Sequence, residues 1–203
     1  LSSNCFGNNA YCLSITNRKS AITNEGFSMT DQQLMAQIEE RWGSVIAKVC
    51  AKSSVPGEFV AALIANETGG DPTKTRFEEG VYRHLLDVQQ DRAIRYGAIT
   101  KRCLIDLDDE ALRLLATSRG LTQVMSYNAV FQHVDPLTLT DAELCLTLTL
   151  HLLANGAECY WLDETKEFEQ MFRVWNTGRP DGETYDPNYV SRGLARMRLY
   201  SEI

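Results

Sequence analysis

Apolar residues recur at helical spacing through most of this chain, with the exception of its start. Residues 1 to 28 are rich in Ser, Asn and Gly and carry no sustained period, so they read as an irregular N-terminal extension. Helical patterning begins after it. Thr30 followed by Gln33 has the form of a capping box, and Leu34, Ile38, Trp42, Val45, Ile46 and Val49 then trace one apolar stripe. Pro56 suits the first turn of a second helix, with Glu58 favourably set against the helix dipole. That helix runs through Phe59, Val60, Leu63 and Ile64 to Glu67, where Gly69-Gly70 stops it.

Farther along, a polar loop precedes a helix expected over about Glu79 to Arg95, and Asp109 suits the cap of a short helix through Leu115. Gly120 to Gln132 reads as another helix, ended before Asp135-Pro136. Thr140 with Glu143 has the form of a second capping box, opening Ala142 to Ala154. This segment is apolar on nearly every side, which predicts a helix through the core; its Thr-Leu alternation also suits a strand, and its length decides for helix. Glu164 to Trp175 and Pro187 to Tyr200 complete the pattern, with Asp186 as a cap before Pro187. No repeat or linker divides the chain. The fold expected is mainly α, with one domain over residues 29 to 203.

Composition narrows the function classes. Of 203 residues, 44% are apolar and 23% charged, as in an ordinary globular protein. No apolar run reaches the roughly 18 residues that cross a bilayer. The nearest candidate, Leu144 to Ala157, is interrupted by Thr147, Thr149, His151 and Asn155. The net charge is −7 with Lys and Arg scattered, which argues against nucleic acid as a partner because duplex binders display a basic face. Six cysteines permit up to three disulfides, Cys5 with Cys12 being the best local pair. Cys50 and Cys145 lie in apolar helical patterns and suit buried thiols. No cysteine pair has zinc-knuckle spacing and there are three histidines, so neither a metal nor a cofactor is expected. A start at Leu1 fits a precursor processed on export.

One residue breaks the pattern. Glu67 lies three positions after Ile64, four after Leu63 and seven after Val60, on their apolar face. A carboxylate there is costly unless protonated or paired, and the carbonyl end of the helix disfavours its charge. Both effects favour a raised pKa, as a general acid requires. The plainer alternative is a salt-bridged helix end, with Arg76 near enough in sequence to be the partner.

The surrounding residues carry a resemblance. Ala65-Asn66-Glu67-Thr68-Gly69-Gly70-Asp71-Pro72 resembles the catalytic motif of soluble lytic transglycosylases and goose-type lysozymes. Ser118 to Met125 is similar to their Gly-Leu-x-Gln-hydrophobic-Met motif, and Trp175-Asn176-Thr177-Gly178 to their Tyr-Asn-Ala-Gly block. Asn188-Tyr189-Val190 resembles a tyrosine-containing helix start near the end of these domains. Arg76-Phe77-Glu78 through Tyr82-Arg83 is similar to a bacterial and phage N-acetylmuramidase group with the same core. Each motif is short; their shared order over about residues 55 to 200 is what carries the likeness.

The resemblance implies a lysozyme-like helical domain with a substrate groove that cleaves peptidoglycan glycan strands between N-acetylmuramic acid and N-acetylglucosamine. It assigns Glu67 as the general acid. Gln123 and Asn176 match positions that bind sugar or hold loops, and Met125 closes the Gln123 motif. Tyr189 matches a tyrosine close to the acid. Trp175 stands where tyrosine is usual and offers a flat face for a sugar ring; Arg119 replaces a small or apolar residue and adds a cation. Asp71, Glu78 and Glu79 are candidates for a second carboxylate, Glu78 first among them. Enzymes of this kind manage with one glutamate when the substrate's N-acetyl group assists. The location implied is outside the cytoplasm, at or delivered to the wall. A silent glycan-binding module, a helical interaction protein and a chitinase-like hydrolase remain as alternatives, and hydrolysis versus transglycosylation stays open.

Overall fold

The computed structural model describes residues 29–203. The extension at residues 1 to 28 and the Cys5–Cys12 pair lie outside the described residues. Helix α1, Asp31–Cys50, opens on the expected capping box: Thr30 Oγ1 accepts from Gln33 N, and Gln33 Oε1 accepts from Thr30 N. Its inward stripe is Met35, Ile38, Ile46 and Val49, while Leu34, Trp42 and Val45 lie half-buried at the margin.

Helix α2, Gly57–Glu67, begins one residue after Pro56. Every residue from Phe59 to Ala65 is buried, so α2 is wrapped on all sides instead of resting on a surface. It packs most extensively against α9, Tyr189–Ser201, and then against α1. Phe59 meets Phe172 with ring centroids 4.4 Å apart, on α8, Phe168–Thr177. Burying side chains such as Phe59, Leu63 and Ile64 contributes about 1.5–3 kcal/mol each before entropy is counted. The central position of α2 is therefore strongly enforced.

A second apolar cluster surrounds α3, Glu79–Gln89, α4, Lys101–Leu104, and α5, Asp109–Leu115. It contains Val81, Leu85, Val88, Leu104 and Leu112. The helix α3 stops at Gln89, short of the expected Arg95; residues Arg95–Tyr96 (β2) and Ile99–Thr100 (β3) pair instead as a hairpin. A three-stranded antiparallel sheet is formed by β1, Thr75–Phe77, β4, Thr117–Arg119, and β5, Val124–Met125, in the order β1-β4-β5. Val124 and Met125 alternate across this sheet: Val124 joins the main core and Met125 the second cluster.

Other segments differ from the sequence expectation. The helix expected from Gly120 begins at Ser126, as α6, Ser126–Phe131. Gly120 and Gln123 have φ of 75° and 54°, a left-handed conformation that no helix accommodates. Helix α7, Ala142–Tyr160, is capped by Asp141, whose Oδ1 accepts from Leu144 N, and not by Thr140; it runs six residues past Ala154. Pro136–Thr140 forms a 3-10 helix before it. The helix expected from Glu164 begins at Phe168, and that expected from Pro187 begins at Tyr189, where Asp186 accepts from Asn188 N. The architecture is mainly helical, as the periodicity indicated. Among the described residues no helix is long and apolar enough to cross a membrane.

Candidate active site

The C-terminal end of α2 brings together residues from distant parts of the chain. The helix stops because Gly69 and Gly70 adopt φ of 66° and 92°, and Thr68 N and Gly69 N both donate to Ile64 O. Thr68 Oγ1 donates to Leu121 O at 2.8 Å, tying the turn to the β4–β5 segment. Trp42 Nε1 donates to Gly70 O at 3.1 Å, tying it to α1. Lys74 Nζ lies 3.3 Å from Glu67 O, a cation at the negative end of the helix dipole.

Glu67 itself is half-buried, and Tyr189 OH donates to its Oε1 at 2.6 Å. Tyr189 is the first residue of α9 and 5% exposed; its ring meets Phe172 edge-on, 6.2 Å between centroids at 85°. Beside it a polar chain runs into the protein. Asn66 Nδ2 donates to Tyr189 O, and Asn66 Oδ1 accepts from Arg196 Nη1 at 2.8 Å. Arg196 Nε and Nη2 both donate to Asp31 Oδ1 at the N-terminus of α1. The N-terminus of α1, the end of α2 and the start of α9 are thus locked by one network around the carboxyl group.

The candidate second carboxylates have other commitments. Asp71 Oδ1 accepts from Thr73 Oγ1 at 2.7 Å and from Thr73 N at 2.8 Å. These hydrogen bonds, the hydroxyl's foremost, hold its carboxyl below the usual carboxylate range, although the group is exposed. Glu79 pairs with Arg83 one turn along α3, on the surface. Glu78 is 5% exposed and faces Arg76 Nε at 3.3 Å, so the arginine offered by sequence as a partner for Glu67 sits against Glu78.

Gln123 is buried and belongs to a loop between strands, not to a helix. Its Nε2 donates to Lys74 O at 2.8 Å and Gly120 O at 3.1 Å, and its Oε1 accepts from Ser118 Oγ at 3.1 Å. It holds the loop after Gly70 against the β4–β5 turn. Met125 is 2% exposed within the second cluster, and Asn176 is 7% exposed at the end of α8, before left-handed Gly178. Trp175 corrects an expectation: it is 2% exposed in the main core, so protein atoms cover the face proposed for sugar stacking. The structure brings Tyr189 to Glu67, uses Gln123 to brace the adjoining loop, and places Met125, Trp175 and Asn176 in the interior.

Sequence reasoning missed Asn66, Lys74, Asp31 and Arg196. Asn66 adjoins the acid, but nothing in the spacing links it to Arg196, 130 residues away. No group of three or more His, Cys, Asp or Glu side chains suited to a metal ion occurs among the described residues. Compared with protein-family models, curated proteins and solved structures, the chain matches none at a significant level.

Proposed function

We propose that this protein cleaves the β-1,4 bond between N-acetylmuramic acid and N-acetylglucosamine in peptidoglycan, with Glu67 as the general acid. The observation that carries the reading is the Tyr189–Glu67 hydrogen bond at the end of an enclosed helix. A carboxyl group carried on a rigid element, with one oxygen fixed by a buried phenol, suits directed proton transfer better than it suits a solvated helix end.

In this reaction Glu67 gives its proton to the glycosidic oxygen as the bond from that oxygen to C1 breaks. The muramyl N-acetyl oxygen bonds to C1 as the leaving sugar departs, so no second protein carboxylate is required. Glu67, now ionised, then takes a proton from the attacking hydroxyl. If that hydroxyl is the muramyl O6, an anhydro end forms; if it is water, a reducing end forms. Glu78, buried and facing Arg76 Nε at 3.3 Å, is not required by this scheme. No metal enters the scheme, and activity is expected to persist in a chelator.

The test is mass spectrometry of fragments released from purified peptidoglycan by the native protein and by Glu67→Gln. Anhydro or reducing muramyl ends are expected from the native chain, with the variant slower by about 10²–10⁴-fold. Equal cutting by both would remove Glu67 from the reaction. Binding without release would favour a silent glycan-binding module, and release from chitin oligomers alone would favour a chitinase-like hydrolase.

A further inference from the structure

Arg119 has an unusual electrostatic position. It ends β4, opposite Thr75 on β1 and Val124 on β5, and its Nε is buried with no hydrogen-bond partner. Among the described residues its guanidinium makes neither a hydrogen bond nor an ion pair. A buried donor on a charged group is costly to leave unmet, and arginine keeps its charge at any accessible pH.

The side chain lines a cavity of about 530 Å³ between α5, β4 and the 3-10 helix, together with Arg113, Leu114, Thr117, Glu110 and Leu137. The other charges there are largely occupied or solvated. Arg113 bonds Asp109 Oδ2 at 2.7 Å and lies over the rings of Phe77 and Tyr82. Asp108, also on the wall, caps α5 by accepting from Ala111 N. Glu110 is exposed in the first turn of α5. Leu137 is 60% exposed, an apolar rim on a cavity whose unsatisfied group is a cation.

We propose that this cavity is a carboxylate subsite, in which Arg119 receives an acid group carried by the glycan strand, the lactyl or stem-peptide carboxylate of a muramyl residue. This rests on the reading of the protein as a peptidoglycan-cleaving enzyme. A planar guanidinium fork matches a carboxylate in two parallel hydrogen bonds, and the apolar rim suits the alkyl part of a lactyl ether or small amino acid. Its place in the fold supports the link. Two residues farther on, Leu121 O accepts from Thr68 Oγ1, next to Glu67, and two residues span at most about 7 Å. Gly120 N donates to Lys74 O on the same loop. A chain of net charge −7 meeting an acidic polymer needs a local cation of this kind, and Arg119 supplies it without first breaking an internal ion pair.

The test uses the full chain carrying Glu67→Gln, with Arg119 either native or changed to Gln or Lys. Binding is measured by calorimetry to a disaccharide-peptide muropeptide, to the same fragment with its carboxylates amidated, to a chitin tetrasaccharide and to inorganic phosphate. The native Arg119 chain should bind the acidic muropeptide about tenfold or more tightly than the amidated one. Arg119→Gln should erase that preference while leaving the tetrasaccharide unchanged, and Arg119→Lys should keep part of it. Removal of an unpartnered guanidinium should leave the thermal midpoint essentially in place. An unchanged preference in Arg119→Gln, parallel loss of both sugars, tighter binding of phosphate than of the muropeptide, or no binding at all would each overturn the subsite. If Arg119-dependent binding is found while the chain with Glu67 intact releases no fragment, the subsite stands and the cleavage reading fails. Glu67-dependent cleavage without the carboxylate preference would sink the subsite and leave the cleavage reading standing.

Discussion

The phenol of Tyr189 donates to Glu67 Oε1 at 2.6 Å across 122 residues of sequence, joining the start of one buried helix to the end of another. Tyr189→Phe removes this bond and keeps the edge-on contact with Phe172, which needs only the ring. The expected loss of stability is about 0.5–1.5 kcal/mol, the usual net worth of an intramolecular hydrogen bond. In peptidoglycan turnover, kcat should fall about tenfold with KM little changed, since the bond orients the acid and not the sugar. Thermal melts and single-turnover rates separate the two effects. A lowered midpoint with native kcat would leave Tyr189 only a structural role.

Arg196 connects Asn66 to Asp31 and is 9% exposed. Arg196→Ala would leave the Asn66 carbonyl without its donor inside the protein, while Asp31, with a side chain 40% exposed, could recover water. The cost is expected at about 2–4 kcal/mol, below the full penalty for breaking a wholly buried pair. For a domain of this size that is roughly 5–15 °C in the thermal midpoint. The Arg196→Ala, Asn66→Ala double-mutant cycle should show coupling of at least about 0.5 kcal/mol, and strict additivity would deny that the network acts as a unit.

Much of this arrangement was legible in the chain, and the reasons for the rest are physical. The capping box at Thr30 and the glycine stop after Glu67 appear in sequence because each is a local rule obeyed by adjacent residues. The carboxylate on the apolar stripe was legible for the same reason. Residues 117 to 125 were not, because left-handed backbone at Gly120 and Gln123 leaves no periodic trace. A buried glutamine that saturates its amide with backbone carbonyls also looks, in sequence, like an exposed one. Thr140 and Asp141 are both good caps one position apart, and only packing selects Asp141. Trp175 read as a binding surface because its residue type suits stacking; the core claimed it first. The partnership of Arg196 with Asn66 and Asp31 is tertiary throughout, so no window of sequence contains it.

Gln123→Ala tests the loop brace directly. The change removes the amide's hydrogen bonds to Lys74 O, Gly120 O and Ser118 Oγ, each of which keeps one other partner, and alanine keeps the unfavourable left-handed φ of 54°. A destabilisation of about 2–4 kcal/mol is expected from the lost partners. The local signature is faster amide exchange at Gly120, whose N donates to Lys74 O, with α8 unaffected below global unfolding. Gly120→Ala should be worse still, because an added Cβ would lie 2.3 Å from Leu139 O at a φ of 75°. Exchange rates unchanged across residues 74 to 120 in Gln123→Ala would show that the loop is held by other contacts.

Cys50 offers a test of the core by pH. Burial, with Glu58 adding to it, pushes its thiol up to about 11. The folded chain therefore keeps this proton over a range where the unfolded chain, with a thiol near about 8.5, has released it. The folded-state value is the higher one, so the contribution is fully present below about pH 8.5 and is lost as pH rises toward 11. Urea midpoints measured at pH 8 and pH 10.5 should fall more steeply in the native chain than in Cys50→Ser. At pH 8, iodoacetamide should alkylate Cys50 at least about tenfold more slowly in the folded protein than in urea, since the thiolate is the reacting species. Equal pH slopes in the two chains, with rapid alkylation at pH 8, would mean that α1 ends in a solvated turn and not against the packed end of the core.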